Sequence, residues 1–278
     1  MARRPFIDEP LSFLAVWSAR LALFGLAVAA LSVLILRSGL LDVGPALATF
    51  GAGLAFAVLA ILFALGAFVS IWRQGLSGLA RALRGLILGV LLLAYPVYLG
   101  SKALTLPPIA DIATDTRNPP RFEALARERP KDRVAYPGGA TDELQRQAYP
   151  DILPLQVDLP VRTVYELALK VVVGRKWPIA EARQPAGARG TGVIEATARS
   201  LLMGFRDDVA IRISPAGNGS TRVDLRSASR VGAFDFGANA KRLRGLIEDI
   251  DDAAANAPEP RPEPEPVKKP APKRQPRR

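Results

Sequence analysis

The 278-residue chain contains no cysteine and no histidine. These absences exclude disulfides, thiolate nucleophiles, zinc sites of the usual N/S kind and histidine general bases. An enzyme built on this chain would have to work with Asp, Glu, Lys, Ser or Tyr. The lack of cysteine also suits an oxidising compartment, since nothing is left to oxidise. A concentrated basic patch is missing too. The net charge of +11 divides into +5 over residues 1–102, +2 over 103–256 and +4 over 257–278. Such a distribution argues against nucleic acid as a partner. The excess lies on the apolar part and the tail, where anionic lipid would attract it.

What the sequence does have is three long apolar blocks at its amino end. Phe13–Leu36 reads as a first span, with Arg20 able to snorkel to the interface beside Trp17. It is too long for the apolar part of a secretory signal, and two further blocks follow it. Val43–Trp72 is uncharged and rich in Gly and Ala. Its Ala48/Ala52 and Gly53/Ala57 pairs have the spacing that lets helices approach closely in lipid. Gly85–Ser101 is a shorter third block, with Tyr95 and Tyr98 as interface anchors and Pro96 as a kink or stop. Arg3, Arg4, Arg73, Arg81 and Arg84 lie on one side of these spans, against Arg37 and Lys102 on the other. The positive-inside rule then predicts an inner-membrane, multi-pass protein with a cytoplasmic amino terminus and a periplasmic carboxy-terminal domain.

Four segments follow from composition: a transmembrane region over 1–102, an extended Pro-rich connecting segment over 103–150, a soluble domain over 151–256 and a Pro/Lys/Arg-rich disordered tail over 257–278. Within the connecting segment, Thr141–Ala148 reads as a short helix capped by Thr141 and Asp142. Asp111, Thr114, Asp115 and Thr116 are oxygen donors suited either to a hard cation or, more simply, to turn capping. The soluble part alternates in ways that predict strands over Ile152–Leu159, Trp177–Ala182, Val193–Arg199, Asp207–Ile213 and Thr221–Val231. Helices are expected over Val161–Gly174 and about Phe236–Ala253. The fold class is α+β: three transmembrane helices, then an antiparallel sheet with helices on one face. The last helix carries its basic residues early and its acidic ones late, against the helix dipole, so it needs tertiary partners.

RVDLRSASRVGAFDFGANAKRLR, preceded by GFRDDVAIRI and by IADIATDTRNPPRF upstream, resembles the bacterial and plant family of proteins of unknown function numbered 1499, over roughly Pro107–Asp251. RSASRVG with a following D-x-G-x-N is the specific part. Some members are similar in carrying hydrophobic spans ahead of the domain, whereas the loop Ser214–Ser220 and the tail depart from the pattern. The resemblance carries no activity, ligand or cofactor with it.

Along the last strand, Arg222, Asp224, Arg226, Ala228 and Arg230 fall on one face, and Val223, Leu225, Ser227, Ser229 and Val231 on the other. Placing Ile213 opposite Thr221 pairs Asp208 with Arg226 and Arg212 with Arg222. Two readings stand side by side. In one, the motif is a polar staple between strand and helix, with Asp208, Asp224 and Asp235 as structural residues and Asp235 capping the last helix. In the other, Arg226, Ser227, Ser229, Arg230, Asn239 and Arg242 form a pocket for an anionic or polar ligand.

The function expected is a membrane-anchored, non-enzymatic envelope protein without cofactor or metal. Its outer domain would bind a small or hydrophobic ligand, the latter in an apolar pocket between sheet and helices, or an envelope partner. The bilayer itself is one partner, and the basic tail would add anionic lipid or cell-wall polymer. The alternative is a carboxylate-dependent hydrolase in the periplasm, using Asp207 and Asp208 with Asp235. Neighbours on a strand point to opposite faces, which counts against it. A serine nucleophile with Lys241 as base, and conduction through the spans, are weaker still.

Overall fold

A computed structural model describes residues 9–257. The expected amino-terminal arginines Arg3 and Arg4 and the basic tail lie outside the described residues. Three helices open the chain: α1 (Phe13–Ser38), α2 (Val43–Gln74) and α3 (Leu79–Ala103). All three are long and apolar enough to cross a membrane. Ser12 caps α1 by accepting from the Ala15 amide, and left-handed Gly39 and Gly75 end α1 and α2. The third helix starts six residues before the expected block and runs through Pro96 without ending.

Small residues set how closely these helices approach. A Cβ placed on Gly25 would lie 2.8 Å from the Gly53 carbonyl, and one on Gly53 would lie 2.9 Å from the Gly25 carbonyl. The seam on α2 runs through Ala46, Gly53, Ala57, Ala60, Ala64 and Ala67, all buried. Of the two expected small-residue pairs, Gly53/Ala57 is on it and Ala48/Ala52 is exposed on the opposite side. Ser18 and Ser32 on α1 donate to the carbonyls of Ala60 and Ala46 at 2.8 and 2.6 Å, so polar groups in the apolar zone are paired.

The remainder is a six-stranded antiparallel sheet ordered β1-β6-β5-β4-β3, with β2 also on β6. The strands are β1 (Asp111–Ala113), β2 (Leu155–Val157), β3 (Ile179–Arg183), β4 (Gly192–Arg199), β5 (Arg206–Gly217) and β6 (Ser220–Ser229). One face is covered by α5 (Val161–Gly174) and α6 (Ala238–Ala255). The spacing Val164, Ala168, Val172 on α5 and Leu243, Leu246, Ile250 on α6 aims both apolar stripes at Ile194, Ile211, Ile213, Val223 and Leu225. These side chains are at or near zero exposure, so the space expected to hold an apolar pocket between sheet and helices is filled by the core itself. The reversed charges of α6 are offset as the dipole argument requires: Arg242 meets Asp207, Arg244 meets Asp151, and Asp249 meets Arg175.

The other face is covered by residues 107–136, here called the strap. It runs from β1 through two short 3-10 turns, Leu125–Glu128 and Lys131–Arg133. The segment expected to be a connector is therefore part of the folded unit. It supplies β1, and α4 (Ala140–Ala148) follows it. Thr141 and Asp142 fall inside the first turn of α4 rather than capping it, because Gly139, at φ 58°, takes the cap position. Gln145 on α4 instead secures β1: its amide accepts from the Ala113 N–H at 3.1 Å and donates to the Ala113 carbonyl at 2.7 Å. That pairing satisfies an edge strand without another strand.

Replacing Gly53 by Leu should force α1 and α2 apart, because the contacted atoms are backbone and cannot yield. The expected cost is about 1–3 kcal/mol, read as a lower thermal midpoint of the protein in detergent. Gly51→Leu, where a side chain meets open space, should leave the midpoint in place. Equal effects from the two would rule out the seam.

Candidate functional site

Strand β6 is buried on both faces, and its alternation sends two different sets of side chains to two different coverings. The register differs from the expected one by two residues: Ile213 faces Val223, Arg212 faces Asp224 and Asp208 faces Ala228. The strands continue through most of the stretch expected as a loop, leaving a two-residue turn at Asn218 and Gly219, and a bulge between Pro215 and Gly217 sets the shifted register. The like-charge pair Arg212/Arg222 accordingly does not form, and both arginines converge on the buried Asp224 carboxylate.

On the helix face, β6 changes from apolar to polar at Ser227. Ser227 Oγ donates to Asn239 Oδ1 at 2.7 Å and accepts from Arg242 Nη1 at 2.8 Å. Asn239 Nδ2 reaches Ser229 Oγ and the Ala110 carbonyl, both at 3.0 Å. Arg242 Nη2 closes the group on Asp207 at 2.6 Å. Asp235 sits beneath it, accepting from the N–H groups of Gly237 at 2.8 Å and Asn239 at 2.7 Å. It thus performs the expected capping, from a position before left-handed Phe236 and Gly237, and the helix begins two residues later than expected. Burial pushes the Asp235 carboxyl above its usual value, more strongly than its two donors pull it down.

On the strap face, the arginines are enclosed. Arg226 is 1 % exposed. It holds Asp111 through both carboxylate oxygens, at 2.9 and 2.7 Å, and donates to the carbonyls of Pro120 and Val134. Asp208, fully buried, accepts from Arg230 through both oxygens, from Arg129 at 2.7 Å and from Thr197 at 3.0 Å. Phe122 lies within 4.6 Å of the guanidinium carbons of both Arg129 and Arg226, a cation–π contact in a dry setting. Glu195, also fully buried, accepts from the successive N–H groups of Glu123, Ala124 and Leu125 and so fixes the strap where its 3-10 turn starts.

The six expected ligand-binding residues therefore do not form one pocket. Ser227, Ser229, Asn239 and Arg242 meet under α6, whereas Arg226 and Arg230 lie across the sheet under the strap. Asp207 and Asp208 likewise point to opposite faces, each matched by arginine. Lys241 is exposed, while Ser227 is sealed beneath Asn239 and Arg242. Asp115, weighed above as a cation ligand, accepts from the amides of Arg117 and Asn118 in an Asx turn and pairs with Arg222.

Open space lies instead along the strap. A cleft of about 560 Å³ is lined by Pro108–Asp111, Arg129, Asp132, Arg133, Tyr136, Thr141, Ser229 and Ala233. Tyr136 donates to Gln145 Oε1 at 3.3 Å. Burial first, then the nearby Asp142 carboxylate, pushes its phenol far above the usual value, so it stays a neutral donor. Arg129, Tyr136, Gln145 and Glu195 escaped sequence reasoning. The spacing of Phe122, Leu125 and Arg129, and a lone glutamate between apolar strand residues, were the available signals.

Residues 111–250, half of the chain, match the family described as "Protein of unknown function (DUF1499)", and the chain belongs to that family. No curated protein matches the chain.

Two measurements test the buried networks on the full chain in micelles. Asp208→Ala leaves Arg129 without its carboxylate and should cost about 3–5 kcal/mol, against about 1–3 for Ser227→Ala, read by denaturant unfolding. Costs below about 1 kcal/mol for both would mean water reaches these groups. Asp235 adds a pH signature. Its folded pKa is raised, so its proton-linked contribution is fully present below the unfolded value of 3.8 and is lost as pH rises through the folded value. The stability difference between wild type and Asp235→Asn should fall across that window, and a flat difference would refute the shift.

Proposed function

We propose that this protein is a non-enzymatic, multi-pass inner-membrane protein whose periplasmic domain binds a small polar ligand in the cleft along the strap. The observation that carries this reading is the cleft itself. Its volume of about 560 Å³ is in the range of small-molecule sites. Its walls are polar: Arg129 is tied into the Asp208 network, Arg133 to the Gly232 carbonyl and Tyr136 to Gln145, and Asp132 and Thr141 complete the lining. The filled interior beneath α5 and α6 favours a polar ligand at the strap over a lipid chain within the core. A hydrolase reading gains no support, because the two adjacent aspartates diverge and each is neutralised by arginine.

The side of the membrane rests on the arginine distribution around α1–α3. Single cysteines at Leu79 and Arg189 are clean probes in a chain with none of its own. A membrane-impermeant thiol reagent on intact spheroplasts should label Arg189→Cys and spare Leu79→Cys, and the reverse pattern would place the domain in the cytoplasm. For the ligand, native mass spectrometry of the full chain, gently isolated, should show a bound small molecule. Asp132→Ala with Thr141→Ala, two lining residues, should lose it while keeping the thermal midpoint. A ligand-free spectrum from wild type, with no midpoint shift on adding a periplasmic extract, would overturn the binding reading.

A further inference from the structure

The turn joining β4 to β5, Ser200–Phe205, reads SLLMGF and carries the most exposed large apolar side chain on the folded domain: Leu201 is 97 % exposed and Leu202 38 %. The turn is not loose. The Ser200 amide donates to the Phe205 carbonyl at 2.8 Å, the Phe205 amide to Ser200 Oγ at 2.9 Å and the Gly204 amide to the Ser200 carbonyl at 3.1 Å. A firmly tied turn that holds leucine outward has no partner for it within the domain.

Its neighbour is the end of α1. Arg37 Nη1 donates to the Leu201 and Leu202 carbonyls at 2.7 and 3.2 Å. The Arg37 stem also passes so close to Gly204, itself left-handed at φ 73°, that a Cβ there would lie 3.0 Å from Arg37 Cγ. Backbone carbonyls and a glycine gap on the turn thus fit one arginine. Arg37 is in the last turn of a 26-residue helix, about 39 Å long against roughly 30 Å of hydrocarbon. It therefore emerges in the headgroup layer. Leu40 and Leu41, in the turn that follows α1, and Leu104, which ends α3, are exposed at the same end of the helices.

We propose that the β4–β5 turn is a membrane-docking tip: Arg37 holds its backbone at the headgroup layer, and Leu201 and Leu202 enter the adjoining lipid. The occupant of this apolar tip is the bilayer that α1–α3 cross, because the tip continues the boundary those helices define. Docking gives the domain a second attachment besides the chain entering from α3, and it sets the sheet's tilt on the membrane. The inference depends on the spans and not on ligand binding or on which side the domain faces.

The test uses single cysteines carrying a small fluorophore at Leu201, at Leu40 and at Ala216, the last near the end of β5 at the far end of the sheet. Full-length protein is placed in phosphatidylethanolamine/phosphatidylglycerol vesicles, with and without a nitroxide-bearing lipid. The label at 201 should be quenched by the nitroxide severalfold more than the label at 216, as the label at 40 is, and should be shielded from aqueous iodide. A label at 201 that behaves like the one at 216 overturns the proposal. Arg37→Gln, introduced into the full-length chain labelled at 201 and into the one labelled at 40, should lower lipid quenching at 201 and leave it unchanged at 40. Full quenching at 201 in R37Q would overturn the role assigned to Arg37.

Discussion

The sheet domain depends on neutralising arginine where water has been removed. Strand β6 and the residue just after it place Arg222, Arg226 and Arg230 in a row; the strap closes over Arg226 and Arg230, while Arg222 stays partly exposed at its margin. Guanidinium groups do not give up their charge, so each must meet a carboxylate or carbonyls in place. Asp111, Asp208, Asp224 and the strap's own carbonyls meet that requirement. Buried ion pairs of this kind are weak sources of net stability but severe penalties when half of the pair is missing. The strap therefore has one acceptable path over the sheet. Glu195 adds a second constraint from β4, since its carboxylate is matched only when three successive strap amides reach it.

The opposite face of the same strand follows another logic. Val223 and Leu225 join a core filled by α5 and α6, and the polar group around Ser227 begins where that core ends. There the hydrogen bonds to Asn239 and Arg242 fix the start of α6, which dispersion contacts alone leave free to slide. The open cleft therefore lies not on the motif-dense strand but at the strap's margin, between groups held by the networks behind them.

Much of this was legible in the sequence. The spacing of Val164, Leu167, Ala168 and Val171 reads α5 to the residue, because periodic burial and helix formation have the same cause. The three apolar helices α1–α3 were legible from their long apolar runs. The strap was not: the spacing of Phe122, Leu125 and Arg129 hints at one buried side, but what they bury against is a distant sheet that no local pattern names. The register of β5 on β6 failed by two residues because turn length, unlike alternation, cannot be read from Gly and Ser alone. The expected pocket failed for a different reason. Alternation had already placed Arg226 and Arg230 opposite Ser227 and Ser229, and their closeness along the chain overrode it.

That β1 and β2 both pair with β6 also bears on how the chain acquires its structure. The two strands come from the start of the domain, and their shared template is the penultimate element, so Arg226 and Asp111 are 115 residues apart. Contacts of such sequence separation carry a large loop-closure cost and form slowly. The strands at Asp111–Ala113 and Leu155–Val157 have no partner until β6 has been synthesised. Maturation of the domain is thereby timed by its carboxy-terminal third: the earlier segments wait unpaired, available to chaperones and proteases, until one late strand completes the sheet.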